Sequence, residues 1–284
     1  GSQRIQCRNC KKVWTPKQYQ KEITHPQAIE TVQLFIPFQG ASAVQKLYVL
    51  VSLDATRGNI LHLSTNYTQH QTGDSLRYSY KGNTEPTMHH RDIVQKVDMR
   101  EAQFLRRSQF DEIQYGSAVL KRNGKGAILR PVITAHGHFR ILKIRYPDVK
   151  THIISHECFL RGAIITAWAD QFRQQQGELW FVEEEISDSN ADTPWHFKGT
   201  TYHGWWQNQW QRWEQGNNCK MVCLLTGASL ERGANVSLAT SRCFITWLTD
   251  QHDFTQSALL SAGRVTQMLT SLALKYNESL TPSC

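Results

Sequence analysis

Three runs of β-branched and aromatic residues open the ordered pattern of the chain. They are Ile29-Glu-Thr-Val-Gln-Leu-Phe-Ile-Pro37, Leu47-Tyr-Val-Leu-Val-Ser-Leu53 and Asn59-Ile-Leu-His-Leu-Ser-Thr65. Short polar breaks, Gln39-Gly40-Ala-Ser and Asp54-Ala-Thr-Arg57-Gly58, separate them, and the pattern predicts a three-stranded β-meander. Apolar positions Ile93, Val94, Val97, Phe104 and Leu105 then repeat at helical spacing and predict a helix over 90–110 with a basic far face. Ala127-Ile-Leu-Arg-Pro-Val-Ile-Thr134 reads as a further strand ending at Ala135-His136-Gly137-His138, and 139–144 as a helix stopping near Pro147. Short strands are expected at 151–155, 177–182 and 220–225, and helices at 159–172 and across 241–276, the latter broken near 250–254. Within 204–215, Trp206, Trp210 and Trp213 share a helical face, which reads as a core face, with base stacking as the alternative.

Composition narrows the class. A chain of 284 residues with 40% hydrophobic and 20% charged content supports a core and is no disordered polyelectrolyte. Its apolar runs are short and broken by charge, so a membrane partner is not expected, and no signal-peptide block is present. Gly1-Ser2 reads as the remnant of an expression tag. The net charge of +8 suits a polyanionic partner, because cations on a surface displace the counterions of a phosphate backbone. The excess is uneven. Arg4, Arg8, Lys11, Lys12, Lys17 and Lys21 form one basic stretch, and Arg106, Arg107, Lys121, Arg122, Lys125 and Arg130 another. Seven cysteines, odd in number and scattered, give no disulfide framework and fit a reducing, cytoplasmic setting.

Cys7 and Cys10 carry the most specific chemistry. Two thiolates at this spacing form one knuckle of a tetrahedral zinc site, half of the four ligands needed. His25 is the nearest later ligand type, so the second Cys pair is expected upstream. His136 with His138, and His152 with His156, also have spacings that could hold a metal, although scattered histidines more often serve as hydrogen-bonding groups. Cys219 and Cys223 could complete a site, but Cys223 lies in an apolar run and is expected to be buried. No Ser-His-Asp order, phosphate-cradling Gly loop or nucleotide fingerprint stands out.

Two blocks, the knuckle Arg4-Ile-Gln-Cys7-Arg-Asn-Cys10-Lys-Lys-Val-Trp14 and the meander Leu47-Tyr-Val-Leu-Val-Ser-Leu-Asp54-Ala-Thr-Arg-Gly58-Asn-Ile-Leu-His-Leu-Ser, resemble small bacterial insertion-sequence transposases. These have an RNase H-like core behind a zinc ribbon. Pro131-Val-Ile-Thr-Ala135-His-Gly137-His resembles their fourth strand, so the likeness covers the first 65 residues and about 127–147. The resemblance implies an α/β fold with an RNase H-like mixed sheet, in which two aspartates and a glutamate hold two magnesium ions that activate water against a phosphodiester. The first strand here reads Val32-Gln33-Leu34-Phe35-Ile36 with no acid, and the expected end of the fourth reads Thr134-Ala135-His136. Asp54 marks a turn in the family pattern. The third acid would come from Glu183 to Glu185, or from Glu231; the plainer reading of the Glu run is a solvated strand end.

The expected organisation is a partial zinc-ribbon knuckle and linker at 1–26, the first part of the core at 27–149, an inserted α/β region at 150–228 and a C-terminal helical part at 229–284. The expected function is that of a transposase-derived, catalytically degenerate DNA-binding protein of the bacterial cytoplasm or nucleoid, acting as a transcriptional regulator. Arg4, Arg8, Lys11, Lys12, Trp14, Arg106, Arg107, Lys121, Arg122 and Lys125 would meet DNA. Zinc at Cys7 and Cys10 belongs to this reading, and a homodimer is compatible with it. Two rivals stand beside it. One is an active magnesium-dependent nuclease or transposase using Asp54, Glu184 and Glu231; the other is a protein-interaction module or effector on the same scaffold.

Overall fold

The computed structural model describes residues 5–6, 13–14, 25–40, 43–69, 92–110, 126–188, 193–227 and 233–280, with backbone alone at 5–6, 13–14, 103, 105–110 and 127. β1 (Ile5–Gln6) and β2 (Val13–Trp14) pair antiparallel, Ile5 opposite Trp14. The expected meander follows as β3 (Ala28–Gln39), β4 (Val44–Asp54) and β5 (Ile60–Thr65), antiparallel throughout. β6 (Tyr67–Thr68) pairs with β7 (Ala127–Ile128), with the expected helix α1 (Ile93–Phe110) between them in the chain. Next come α2 (Pro131–Arg145), β8 (Thr151–Ser155), α3 (Cys158–Ala167), α4 (Ala169–Arg173) and β9 (Glu178–Glu185). The strands β10 (His196–His203), β11 (Asn208–Gln215) and β12 (Asn218–Thr226) precede α5 (Ala239–Thr249), α6 (His252–Thr255) and α7 (Ala262–Leu280).

The fold is α/β around one mixed sheet of eight strands in the order β10-β11-β12-β9-β8-β3-β4-β5. β3, β8 and β9 run parallel to one another; every other neighbouring pair is antiparallel. Parallel neighbours need a crossover, and helices α2, then α3 with α4, supply it. β8 and β9, although they fall in the 150–228 stretch, therefore lie in the middle of the sheet.

Alternation along each strand divides the core into two layers. Ile29, Leu50, Ile154, Phe181 and Trp210 face α1, α2 and α3, while Val32, Val51, Ile153, Val182 and Val222 face α5 and α7. In α7, Ala262, Val265, Leu269, Leu272, Ala273 and Tyr276 recur at helical spacing and are all buried. The edge at β5 is capped by the same helix. Asn277 accepts from the Ile60 amide at 2.7 Å and donates to its carbonyl at 2.9 Å.

Two sequence expectations give way here. Residues 131–145 are helical, where the sequence suggests a strand through Thr134: Pro131 sits at the first turn, which it favours, and the buried positions Pro131, Thr134, Ala135, His138, Phe139 and Leu142 have helical spacing. The Trp-rich segment is a hairpin. Gly204 and Gln207 turn the chain at positive φ of 75° and 50°, and on β11 Trp210 joins the α1–α3 layer while Trp213 packs on the other. Aromatic residues suit a pleated, half-buried surface, and that preference outweighs the helical spacing.

Several polar groups inside this core are matched by hydrogen-bond partners. Across the meander, Thr31 Oγ1 lies 2.6 Å from Ser52 Oγ, Ser52 Oγ 2.8 Å from His138 Nε2, and His138 Nδ1 2.7 Å from Ser64 Oγ, which meets His62 at 3.1 Å. This relay ties α2 to three strands. Glu30 and Glu184 cap α5, which has no acid in its own first turn. Glu30 Oε2 accepts from the amide and hydroxyl of Ser241, both at 2.9 Å, and Glu184 Oε1 accepts from the Leu238 amide at 3.1 Å. Burial raises the pKa of Glu30. Lys220, fully buried, donates to the carbonyls of Ala234 and Val236 at 2.6 and 2.7 Å and lies 4.5 Å from the Trp195 ring; burial lowers its pKa to about 8.

Desolvation lowers the pKa of His62 to about 4 and of His152 to about 3, and those of His138 and His156 in the same direction. The unfolded chain takes up these protons near the ordinary value of about 6.5, and the folded chain does so only at lower pH. Stability is therefore full above about 6.5 and falls as the pH drops toward 4; Glu30 opposes with a single group. Urea unfolding followed at pH 7.5 and pH 5 should give a lower midpoint at pH 5. His152, whose Nε2 has no partner among the described residues and whose ring lies 4.3 Å from that of Trp168, is the cleanest probe. The His152→Phe variant should show a smaller pH dependence than the parent, and an unchanged dependence would contradict this assignment.

Candidate functional site

The carboxyl ends of parallel strands are where an open α/β sheet leaves room for chemistry. Here β8 ends at Ser155, and the next residues are His156 and Glu157. Glu157 serves as the N-cap of α3, accepting from the Phe159 amide, and its Oε2 accepts from Gln33 Nε2 of β3 at 3.5 Å. His156 is buried among Phe104, Phe181 and Trp210, whose ring centroids lie 4.8, 4.8 and 4.5 Å away. Its Nε2 is 3.2 Å from Oε1 of Glu101, a buried residue of α1, and Asn208 Nδ2 donates to both oxygens of that carboxylate at 3.1 and 3.2 Å. Burial lowers the His156 pKa and outweighs the upward pull of Glu101. The ring is thus neutral at pH 7 and donates its Nε2 proton to Glu101.

Beside this pair, an open cleft of about 590 Å³ is lined by Asp98, Glu101 and Ala102 of α1 and by Gly204, Trp205 and Gln207 of the β10–β11 turn. Asp98 Oδ1 is 2.6 Å from His203 Nδ1, and His203 Nε2 is 2.7 Å from Thr201 Oγ1. The other carboxylates nearby are matched by cations. Glu183 pairs with Arg100 Nε at 3.2 Å, and Glu185 with Lys96. Glu184 points to the opposite side of the sheet and pairs with Arg242. The Glu run is therefore no solvated strand end: it is an ion-paired strand clamped between α1 and α5, with side-chain exposures of 14%, 6% and 33% along it.

The residues chosen from the sequence fall in separate places. Asp54 closes β4 and accepts from the amides of Thr56 and Arg57 at 2.9 and 3.2 Å, so it holds its own turn. Glu184 lies on β9, with β8 and β3 between it and β4, which puts roughly 14 Å between the two strands at about 4.8 Å per strand. It also lies five residues along β9 from Leu179, the position in register with Asp54. Glu231 lies outside the described residues, as do Cys7, Cys10, Arg4, Arg8, Lys11, Lys12, Lys121, Arg122 and Lys125; Arg106 and Arg107 lie on α1, and Trp14 on β2, with only their backbones described. His136 is exposed on α2 and His138 buried behind it, while His152 packs on Trp168 and His156 on Glu101. Among the described residues no group of three or more His, Cys, Asp or Glu side chains has an arrangement that could hold a metal. Cys223 is buried, as its apolar run suggests, and burial pushes its thiol up to about 12.

The strand expected at 127–134 is only Ala127–Ile128, followed by helix α2, and the central parallel strand is β8, which His156-Glu157 follow. Glu101, Arg100 and Lys96 carry no motif; only the helical periodicity that places them on one side of α1 hints at their role. No protein-family model matches the chain, and no curated protein matches it.

Gly204 tests how tightly this cluster is built. It sits at φ 75°, and a Cβ there would collide with Glu101 Oε2. Gly216, at φ 57°, has nothing within 4 Å of the same atom and serves as the control for backbone strain alone. In thermal denaturation, Gly204→Ala should destabilise by about 1–3 kcal/mol more than Gly216→Ala. Equal losses would mean that Glu101 is not locked in place.

Proposed function

We propose that this chain is a DNA-binding protein on an RNase H-like scaffold of the insertion-sequence transposase kind, with strand-transfer chemistry lost. The strand run β5-β4-β3-β8-β9 supports the scaffold: a meander whose first strand continues into two parallel neighbours, with helices in both crossovers. One observation carries the loss of chemistry. In the middle of β3 and just after β8, where metal-holding aspartates would stand, Gln33 is hydrogen-bonded to Glu157 and His156 to Glu101. Hard cations such as magnesium want carboxylate and water oxygens, and neither an amide tied to its neighbour nor a buried imidazole supplies such a pair. The nearby carboxylates Glu183 and Glu185 are neutralised by Arg100 and Lys96, side chains that take the part a divalent ion would otherwise play.

What remains is a basic body. The +8 charge, with the acid-free stretch Arg4 to Lys21, favours contacts to phosphates, which hold a protein on DNA without reading sequence. A transcriptional regulator is the role this combination suits. Fluorescence anisotropy with a labelled random-sequence duplex tests it across roughly 50 to 200 mM NaCl. Affinity should fall steeply and linearly on a log–log plot, and Lys11→Ala with Lys12→Ala should reduce the slope by about 0.9 per lost phosphate contact. No binding, or binding indifferent to salt, would sink the reading and leave a protein-interaction module on the same fold.

A further inference from the structure

The inner face of α2 is fully used: Thr134, Ala135, His138, Phe139 and Leu142 are buried against the sheet and α3. Its outer face is apolar as well. Ile133 is 41% exposed, Ile141 38% and Ile144 73%, and Gly137 lies between them with open space around the position a Cβ would take. These positions recur at four, four and three residues, so they form one stripe along a helix about 22 Å long. Single exposed apolar residues are ordinary, but a helix apolar on both sides is normally covered on both.

The charges flanking the stripe say what covers it. His136, Arg140 and Arg145 lie exposed on the same face, and α2 has no Asp or Glu along its length. Among the described residues neither Arg140 nor Arg145 has a carboxylate at ion-pair distance; Lys143, to one side, is taken up by the Pro147 carbonyl and the Trp168 ring. We infer that this face docks an acidic amphipathic helix of a partner protein, with apolar side chains on the isoleucines, close backbone approach at Gly137 and carboxylates on Arg140 and Arg145. A second copy fits less well, since two such faces bring arginines together with no acid on either helix. Duplex DNA fits less well again, because phosphates would satisfy the arginines and leave three isoleucines in water.

The probe is a fluorescein-labelled synthetic amphipathic helix with a leucine stripe flanked by glutamates, compared with the same peptide carrying lysines. The glutamate peptide should bind at micromolar concentration, and the lysine peptide at least about tenfold more weakly. Ile144→Glu should weaken the glutamate peptide by about tenfold or more without changing the far-UV spectrum or the melting temperature, since the residue is exposed. Arg140→Glu with Arg145→Glu should reverse the preference in favour of the lysine peptide. Equal binding of the two peptides, no binding, or binding unchanged in Ile144→Glu would overturn the proposal. So would self-association abolished by Ile144→Glu, which assigns the face to a second copy, or duplex binding abolished by it, which assigns the face to DNA.

Discussion

Parallel pairing of β3 with β8 joins the two halves of the molecule, from Ala28 opposite Thr151 to Thr31 opposite Ile154. The ladder is short, and the structure on either side of it depends on its register. A slip of one residue would turn Ile29 and Thr31 toward α5 and would bury Glu30 under α2. Glu30 would then lose Ser241, and α5 would lose one of its two caps. The same slip would part Gln33 from Glu157, the N-cap of α3. The Gln33–Glu157 contact and the capping of α5 are thus two consequences of one register.

Around that ladder several ionisable groups stand in the interior with hydrogen-bond partners, His152 Nε2 being an exception among the described residues. Glu30, Glu101 and Lys220 are buried, and each meets amides, carbonyls or an imidazole in hydrogen-bonding geometry. A buried polar group left without a partner costs roughly 1–3 kcal/mol, so each of these partners restricts how far its element can move. The result is a rigid platform. Its unspent features lie outside the core, in the cleft between α1 and the β10–β11 turn and on the outer face of α2.

Much of the sheet was legible from residue order. The meander is written in alternating β-branched runs, and Asp54-Ala-Thr-Arg57-Gly58 specifies its turn through an Asp side chain that accepts from the next amides. Helix α7 shows its buried stripe directly. The segment 131–145 misled because Val132-Ile133-Thr134 reads as a strand, while the helical spacing of Thr134, His138 and Leu142 mixes polar with apolar residues on the buried face. His138 belongs inside only because Ser52 and Ser64 await it from distant parts of the chain. The candidate site was harder still. Glu101, His156 and Asn208 come from a helix, a strand end and a hairpin, and no local spacing relates them. The β-branched run through Thr134 looks like a strand, whereas the central strand is Thr151–Ser155, about twenty residues later and followed by His156-Glu157.

The proposed function stands or falls on whether the polar cluster around Gln33 of β3 and the end of β8 holds no divalent ion. Water-proton relaxation during titration with manganese(II) measures this directly, because a bound ion with exchangeable water enhances relaxation in a saturable way. The account predicts no saturable enhancement that depends on Glu157 or Glu101. Saturable enhancement that disappears in Glu157→Gln or Glu101→Gln would contradict it and restore the metal-dependent reading of the fold.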